Sequence, residues 1–315
     1  MTVLVADIGG TRIKLALMRD QSVLTQRTLT AHSNQGLAPQ LPRIAKAFDS
    51  MRQEAGIARG DCAALAVGFP SLIDPKTDRV VTSYGKYQDA PRIDLAQWAR
   101  ETLGLPAWIE NDARLALLGE WQSGAGRGCD DLVMVTLGTG LGTAALTEGQ
   151  LVRGKHGQAG VLGGHLTVRQ GGRLCVCGNR GCAEAEASTS VLKAIATELS
   201  DYSVSALRFA DVIDYAVVFR LARAGDPCAV TLRTRAIEIW SSLIVNLIHA
   251  HDPERVIVSG GIMAGAIDFF AELQRCALSC VHTPWGQVSI VPGRLGDAAA
   301  LFGGEYLIRQ KTSMG

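Results

Sequence analysis

Three kinds of residue in this chain have the chemistry for a site. The first is a run of thiols: "CVCGNRGCAEAEAS", from Cys175 to Ser188, places Cys175, Cys177 and Cys182 close together. A metal, a disulfide knot or a reactive thiol could each explain that spacing. The second kind is glycine at turns, namely Gly9-Gly10-Thr11, Gly138 to Gly142, and Gly260-Gly261. With no side chain in the way, backbone N–H groups there can approach an anion closely. One such turn alone is an ordinary hairpin signal. Two similar copies, with Thr11 and Thr139 adding hydroxyls, favour a clamp for nucleotide phosphates. The third kind is acid. Asp7 ends an apolar run just before the first turn, where it could hold Mg²⁺ against phosphates or simply cap the turn. Asp112 follows Asn111 at the start of a predicted helix, ordinarily a capping position.

Those residues need elements to hold them. "TVLVADIGGTRIKLALM" reads as a strand, a glycine turn and a second strand, with Ile13, Leu15 and Leu17 alternating against Lys14 and Ala16. "SVLTQRTLT" reads as a third strand, Gly36 to Ala55 as a helix, "CAALAVGFP" as a buried strand and "APRIDLAQWARETLG" as a second helix. "AWIENDARLALLGEW" is a strand running into a helix near Asn111-Asp112. The opening pattern then returns in "DDLVMVTLGTGLGTAALTEGQLV", which predicts an internal duplication: two α/β domains, each opening on a hairpin with a polar, glycine-rich turn. Helices follow at "SVLKAIATEL", "ADVIDYAVVF" and "VTLRTRAIEIWSSLIVNLIHAH", then a strand and turn, "RVIVSGGIMAG", and a closing helix, "DAAALFGGEYLIR".

Length and composition bound the class. At 315 residues, 47% hydrophobic and 19% charged, the chain can fill two cores. A formal net charge of +1 implies neither a nucleic-acid partner nor a membrane surface. "MTVLVADIGG" lacks the features of a signal peptide, and the other cysteines are scattered, as expected of reduced thiols in a cytoplasmic protein. A disulfide knot is thus the poorer reading of the cluster. There is no G-x-x-x-x-G-K-[ST], which excludes a P-loop. The first two turns lead into strands, whereas a dinucleotide fingerprint opens a helix, which disfavours a dehydrogenase.

Together "DIGGTRIKLAL", "ENDARLALLGE", "VTLGTGLGTAAL", "GGHLTV", "CVCGNRGCAEAEAS" and "IVSGGI" resemble the ROK family of bacterial sugar kinases, in order and along essentially the whole chain. The most specific piece is C-x-C-G-x-x-G-C-x-E. The resemblance implies a two-domain actin-like ATPase fold of the hexokinase type with a central cleft. The N-terminal domain would be residues 1–118, with 297–315 packing back on it, and the C-terminal domain 119–296. It implies ATP-dependent phosphorylation of a sugar hydroxyl, Mg²⁺, and a homodimer. Repressors of the family carry an extra N-terminal winged helix, for which a strand beginning at residue 3 leaves no room.

Residue by residue, the resemblance implies that Asp112 is the catalytic base, with Asn111, Glu184, His165 and Gly68 at the sugar. Asp7, Gly9, Gly10, Thr11, Lys14, Gly138, Thr139, Gly140, Gly260 and Gly261 would serve ATP and its metal. His165, Cys175, Cys177 and Cys182 would hold a structural zinc, whose four ligands leave no open position. That zinc would place Glu184 at the sugar without touching the ATP turns. Three departures bear on the substrate. Where the family's glucose kinases read A-G-E-x-G-H, this chain reads "AGVLGGH", with Val161 or Leu162 in place of the glutamate. Losing a charged acceptor removes about 1.5–3 kcal/mol for such a bond. Ser71 stands where glycine is usual, and "VTSYGKYQDAP", with Tyr84, Lys86 and Tyr87, replaces a loop that often carries Asn and Trp. An N-acetylmannosamine-kinase branch of the family also lacks the glutamate, so the resemblance does not tie catalysis to it.

Overall fold

The computed structural model describes residues 1–83, 85–265 and 269–313, so Tyr84 and the last two positions of the expected 297–315 segment lie outside the described residues. The chain divides into two units, one of Met1–Gly128, Leu151–Val161 and Asp297–Gly315, the other of Cys129–Gln150 and Leu162–Gly296. The first unit thus runs past residue 118 and also takes back 151–161. The reason is electrostatic: the guanidinium of buried Arg114 donates to the carbonyls of Val152, Gly157 and Ala159.

In the first unit β1 (Thr2–Ile8), β2 (Arg12–Arg19), β3 (Ser22–Thr30), β4 (Cys62–Phe69) and β5 (Ala107–Asn111) form one sheet in the order β3-β2-β1-β4-β5. The unbroken apolar runs of β1, β2 and β4 are explained by burial on both faces. Leu4, Ala6, Ile8, Leu15, Leu17, Leu65 and Val67 pack on the side of α1 (Leu41–Glu54), with its Ile44, Phe48 and Met51. The alternate residues Val3, Val5, Ala16, Met18, Ala64 and Ala66 pack against Leu301 and Ile308 of the closing helix.

The expected helix from Gly36 to Ala55 is shorter. Gly36 lies at φ 91°, and a short turn over Ala38–Gln40 precedes α1; Pro39 and Pro42, which lack an N–H, each sit in a first-turn position where none is needed. The second expected helix begins at Leu95 rather than in "APRID". Asp94 caps α2 (Leu95–Trp98) by accepting from the Gln97 N–H at 2.8 Å, and a single wider turn, Ala99–Leu103, carries on to Gly104.

The second unit repeats the plan. Strands β6 (Leu132–Leu137), β7 (Leu141–Thr147), β8 (Gln150–Leu151), β9 (Arg255–Ser259) and β10 (Ser289–Pro292) stand in the order β10-β9-β6-β7-β8. Read backwards, that is the order of the first sheet. The hairpins β1–β2 and β6–β7 are antiparallel, and β4 and β9 run parallel to β1 and β6. The predicted duplication is therefore visible strand by strand.

The helices are α3 (Asp112–Ser123) in the first unit and, in the second, α4 (Ala183–Ala187), α5 (Thr189–Glu198), α6 (Tyr215–Arg223), α7 (Pro227–His251), α8 (Gly261–Gly265) and α9 (Phe270–Cys280). Helix α6 starts at Tyr215, later than "ADVIDYAVVF" predicts, because Asp214 accepts from Val217 N–H and caps it there. The closing helix α10 (Ala299–Ser313) lies directly on α3. A Cβ on Gly303 would overlap the Leu115 carbonyl, so glycine is what permits that approach. Among the described residues, no helix is long and apolar enough to cross a membrane.

Candidate active site and metal centre

Three strand ends in the first unit bring the acids together. Asp7 on β1 pairs with Gly68 on β4, and Gly68 pairs with Glu110 on β5. One position on, Asn111 ends β5 and Asp112 starts α3. The capping task falls to Asn111, whose side-chain oxygen accepts from Arg114 N–H at 3.2 Å while its amide donates to the Ser71 carbonyl at 3.1 Å. The Asp112 carboxylate accepts from backbone N–H groups, that of Ala113 at 2.8 Å and its own. Gly68 leaves the space between the two acids open. A Cβ there would lie 3.4 Å from Asp7 Oδ1, 3.7 Å from Asp112 Cα and 3.2 Å from a Leu115 methyl.

Burial, then the charge of Asp112, pushes Asp7 from 3.8 up to about 7, against the attraction of Lys14. Burial also raises Asp112, opposed by the Ala113 N–H and by the charges of Lys86 and Lys14. Two carboxyls held above their ordinary range at one strand end are suited to proton transfer and to gripping a cation. Lys14 stands opposite Asp7 in the hairpin, its Nζ 3.7 Å from Asp7 and 3.4 Å from Asp297. Beyond them, Gly9 N–H closes the turn on Arg12 O at 3.0 Å and Thr11 is exposed.

In the second unit Gly138 N–H donates to Gly140 O at 3.1 Å, and the carbonyls of Gly138 and Thr139 accept from Thr189 and Ser190 of α5. Gly260, at φ 100°, passes so close to Leu137 that any Cβ would overlap that backbone. Gly261 then opens α8.

His165, Cys175, Cys177 and Cys182 offer ligand atoms all within 4.8 Å of one another. Cys175 Sγ lies 3.4 Å from His165 Nδ1, and Cys177 Sγ lies 3.6 Å from Cys182 Sγ. Thiolate and imidazole ligands at about 2.0–2.3 Å from a tetrahedral zinc stand roughly 3.5–3.8 Å apart, so the donor set fits that ion. Burial first, then the neighbouring thiols, pushes Cys182 up to about 12, and a metal bound there would displace the thiol proton to solvent.

The cysteine segment leads directly into α4. Tyr215 OH and Trp240 Nε1 both donate to the Ala187 carbonyl at its end, at 3.0 and 3.1 Å. Glu186, fully buried, accepts from Arg173 N–H at 2.6 Å and pairs with Arg235. Glu184 Oε2 accepts from Leu141 N–H at 2.9 Å, against the face of Gly140. This corrects the expectation that the metal loop leaves the phosphate turn alone: Glu184 links the two.

Sequence reasoning missed a buried charge cluster. Glu110 accepts from Arg114 at 3.3 Å and from Arg153 at 2.5 Å, and Arg114 is 1% exposed. The four-residue spacing of Glu110 and Arg114 was the available signal. Asp297, partner of Lys14, had none. Val161 and Leu162 are half-buried and fall at the junction of the two units in sequence.

Duplicated sheets that each open on a glycine hairpin, with paired acids at the end of one, define an actin-like ATPase fold of the sugar-kinase class. The same architecture occurs in a ROK family glucokinase from Streptomyces griseus in complex with glucose and AMPPNP. That structure superposes at a TM-score of 0.78 with 27% identity, over 98% of this chain and all of that one. The ROK family model matches residues 3–311, and the chain belongs to that family. A glucokinase of Thermotoga maritima is 29% identical over 97% of this chain and 96% of its own length. A beta-glucoside kinase of Klebsiella pneumoniae is also 29% identical, over 84% and 82%.

Proposed function

We propose that this chain transfers the γ-phosphoryl group of ATP to a hexose, at the 6-hydroxyl. The observation that carries the reading is the buried Asp112 carboxylate beside Asp7, bonded only by backbone N–H groups, with Asn111 capping the helix in its place. A sugar hydroxyl is a weak nucleophile until its proton is accepted, and phosphoryl transfer otherwise depends on position and neutralised charge. Asp112 takes that proton. Asn111, Gly68, His165 and Glu184 hold the sugar, with Asn111 retaining an amide hydrogen beyond its bond to Ser71. Gly9, Gly10, Thr11, Gly138, Thr139 and Gly140, with Gly260-Gly261, form the turns that take the phosphates, the N–H groups of Gly9 and Gly138 closing those turns while their neighbours and the threonine hydroxyls donate. Asp7 holds Mg²⁺, which when bound neutralises phosphate oxygens, and Lys14 balances the charge of Asp7. His165, Cys175, Cys177 and Cys182 hold zinc and fix α4. The family resemblance adds a cytoplasmic homodimer, a point for light scattering.

Val161 and Leu162 favour a second reading, an N-acetylhexosamine such as N-acetylmannosamine as the sugar, because no carboxylate there competes with an apolar C2 substituent. Measuring ADP release with Mg-ATP against a panel of hexoses and N-acetylhexosamines tests both. A protein that releases ADP in response to none of these sugars would overturn the kinase reading.

A further inference from the structure

Residues 85–89 are tied to the first glycine turn in an unusual way. Tyr87, buried and at φ 51°, donates its hydroxyl to the Gly9 carbonyl at 2.8 Å and its N–H to the Ser33 carbonyl at 2.9 Å. Ser33 in turn donates to the Gly10 carbonyl at 2.7 Å, and the Tyr87 ring packs on Phe69 at 5.5 Å. This pinning throws the preceding side chain, Lys86, across Gly10. A Cβ on Gly10 would come within 2.6 Å of Lys86 Cδ, Cε and Nζ alike. The ammonium therefore lies on the open face of the turn, half-buried, and makes no hydrogen bond or ion pair with any described residue. Its field reaches Asp112. The other lysine near the acids, Lys14, is already engaged by Asp7 and Asp297.

A half-buried ammonium with no fixed partner is suited to an anion that arrives with the reaction. We propose that Lys86 is a catalytic residue of the phosphoryl transfer, its Nζ contacting the peripheral oxygens of the γ-phosphoryl group as it passes from ATP to the sugar. The inference rests on the kinase reading above. In the step, the sugar hydroxyl proton passes to the Asp112 carboxylate and the sugar oxygen bonds to the γ-phosphorus. The bond from that phosphorus to the bridging oxygen breaks, and its electron pair stays on ADP. Charge is spread over the peripheral oxygens in between, and a fixed cation beside them lowers the barrier more than it strengthens ground-state binding. Glycine at position 10 lets the lysine tip lie directly on the turn, since a Cβ there would push it aside.

The test compares the full-length wild type with Lys86→Met, which keeps the apolar stem, and Lys86→Arg, which keeps the charge. With Mg-ATP and the best sugar of the panel, Lys86→Met should lower kcat by about 10²–10³-fold, the size of losing one preorganised transition-state contact. The KM for sugar and the thermal midpoint should stay near wild type, and Lys86→Arg should recover at least about tenfold of the loss. Affinity for Mg-ADP with aluminium fluoride, a mimic of the group in flight, should fall in step with kcat, while affinity for AMPPNP changes little. An active wild type whose Lys86→Met variant keeps kcat within about threefold would overturn the proposal. So would a loss confined to the sugar KM, which would make Lys86 a sugar-binding group. A failure of the kinase reading itself is distinct, because the wild type would then release no ADP with any sugar.

Discussion

Asp112 is spared the N3 capping bond, which Asn111 makes to Arg114 N–H, and accepts only from backbone N–H at the very start of α3. A carboxylate that capped α3 itself would be held by the N–H groups of the first turn and would be a poorer proton acceptor. Asp112→Asn should leave the fold and sugar binding intact and lower kcat by at least about 10²-fold. Steady-state kinetics beside sugar-binding calorimetry check this, and turnover within a few-fold of wild type would return Asp112 to a structural role. Asp7 makes a separate prediction. A carboxyl raised from 3.8 to about 7 on folding still holds its proton at pH values where the unfolded chain has released it. It therefore takes stability away as pH rises through that window. Without metal, Asp7→Asn should melt higher than wild type at pH 8, and the gap should close towards pH 4. A wild type that melts higher at pH 8 would contradict the origin assigned to the shift. The acids and the thiols were legible in the sequence because their types and spacing are chemical. The pairs Glu110–Arg153 and Lys14–Asp297 were not, because the partners are distant in the chain.

At the scale of elements, the cysteine segment and α4 behave as one piece. The four candidate zinc ligands precede Glu184, and the Ala187 carbonyl is held by Tyr215 and Trp240. Cys177→Ser, or removal of zinc by a chelator, should loosen that piece. Because Glu184 bonds Leu141 N–H beside Gly140, affinity for both sugar and nucleotide should fall. Metal analysis should find about one zinc per chain, and a zinc-free protein with unchanged affinities would remove its positioning role. Arg114 does a similar task for residues 151–161. Arg114→Met leaves three carbonyls without their donor and Glu110 with Arg153 alone, a loss of about 1–3 kcal/mol for buried acceptors left unsatisfied. Denaturant melts check it. Strands with unbroken apolar runs could be read directly from the sequence, and so could the long α7. Helix starts were read too early at Gly36, Ala90 and Ala210, because prolines and capping aspartates decide them locally.

For the whole molecule, duplication was the most useful signal: two glycine hairpins predicted two sheets, and the sheets share one strand order. The sugar is a harder question, because it depends on a single missing carboxylate at Val161-Leu162 amid relatives with different named substrates. If the missing acceptor sets the choice, an N-acetylhexosamine should have a kcat/KM at least comparable to that of glucose. A glucose kcat/KM far above every N-acetylhexosamine would mean that another residue replaces the glutamate. The central claim is phosphoryl transfer from ATP to a sugar hydroxyl with Asp112 as base. It is tested most directly by phosphorus NMR of the wild type and Asp112→Asn incubated with Mg-ATP and the preferred sugar. The wild type should yield a sugar 6-phosphate in step with ADP, and the variant should yield almost none over the same time. ADP without sugar phosphate, or equal product from both proteins, would contradict it.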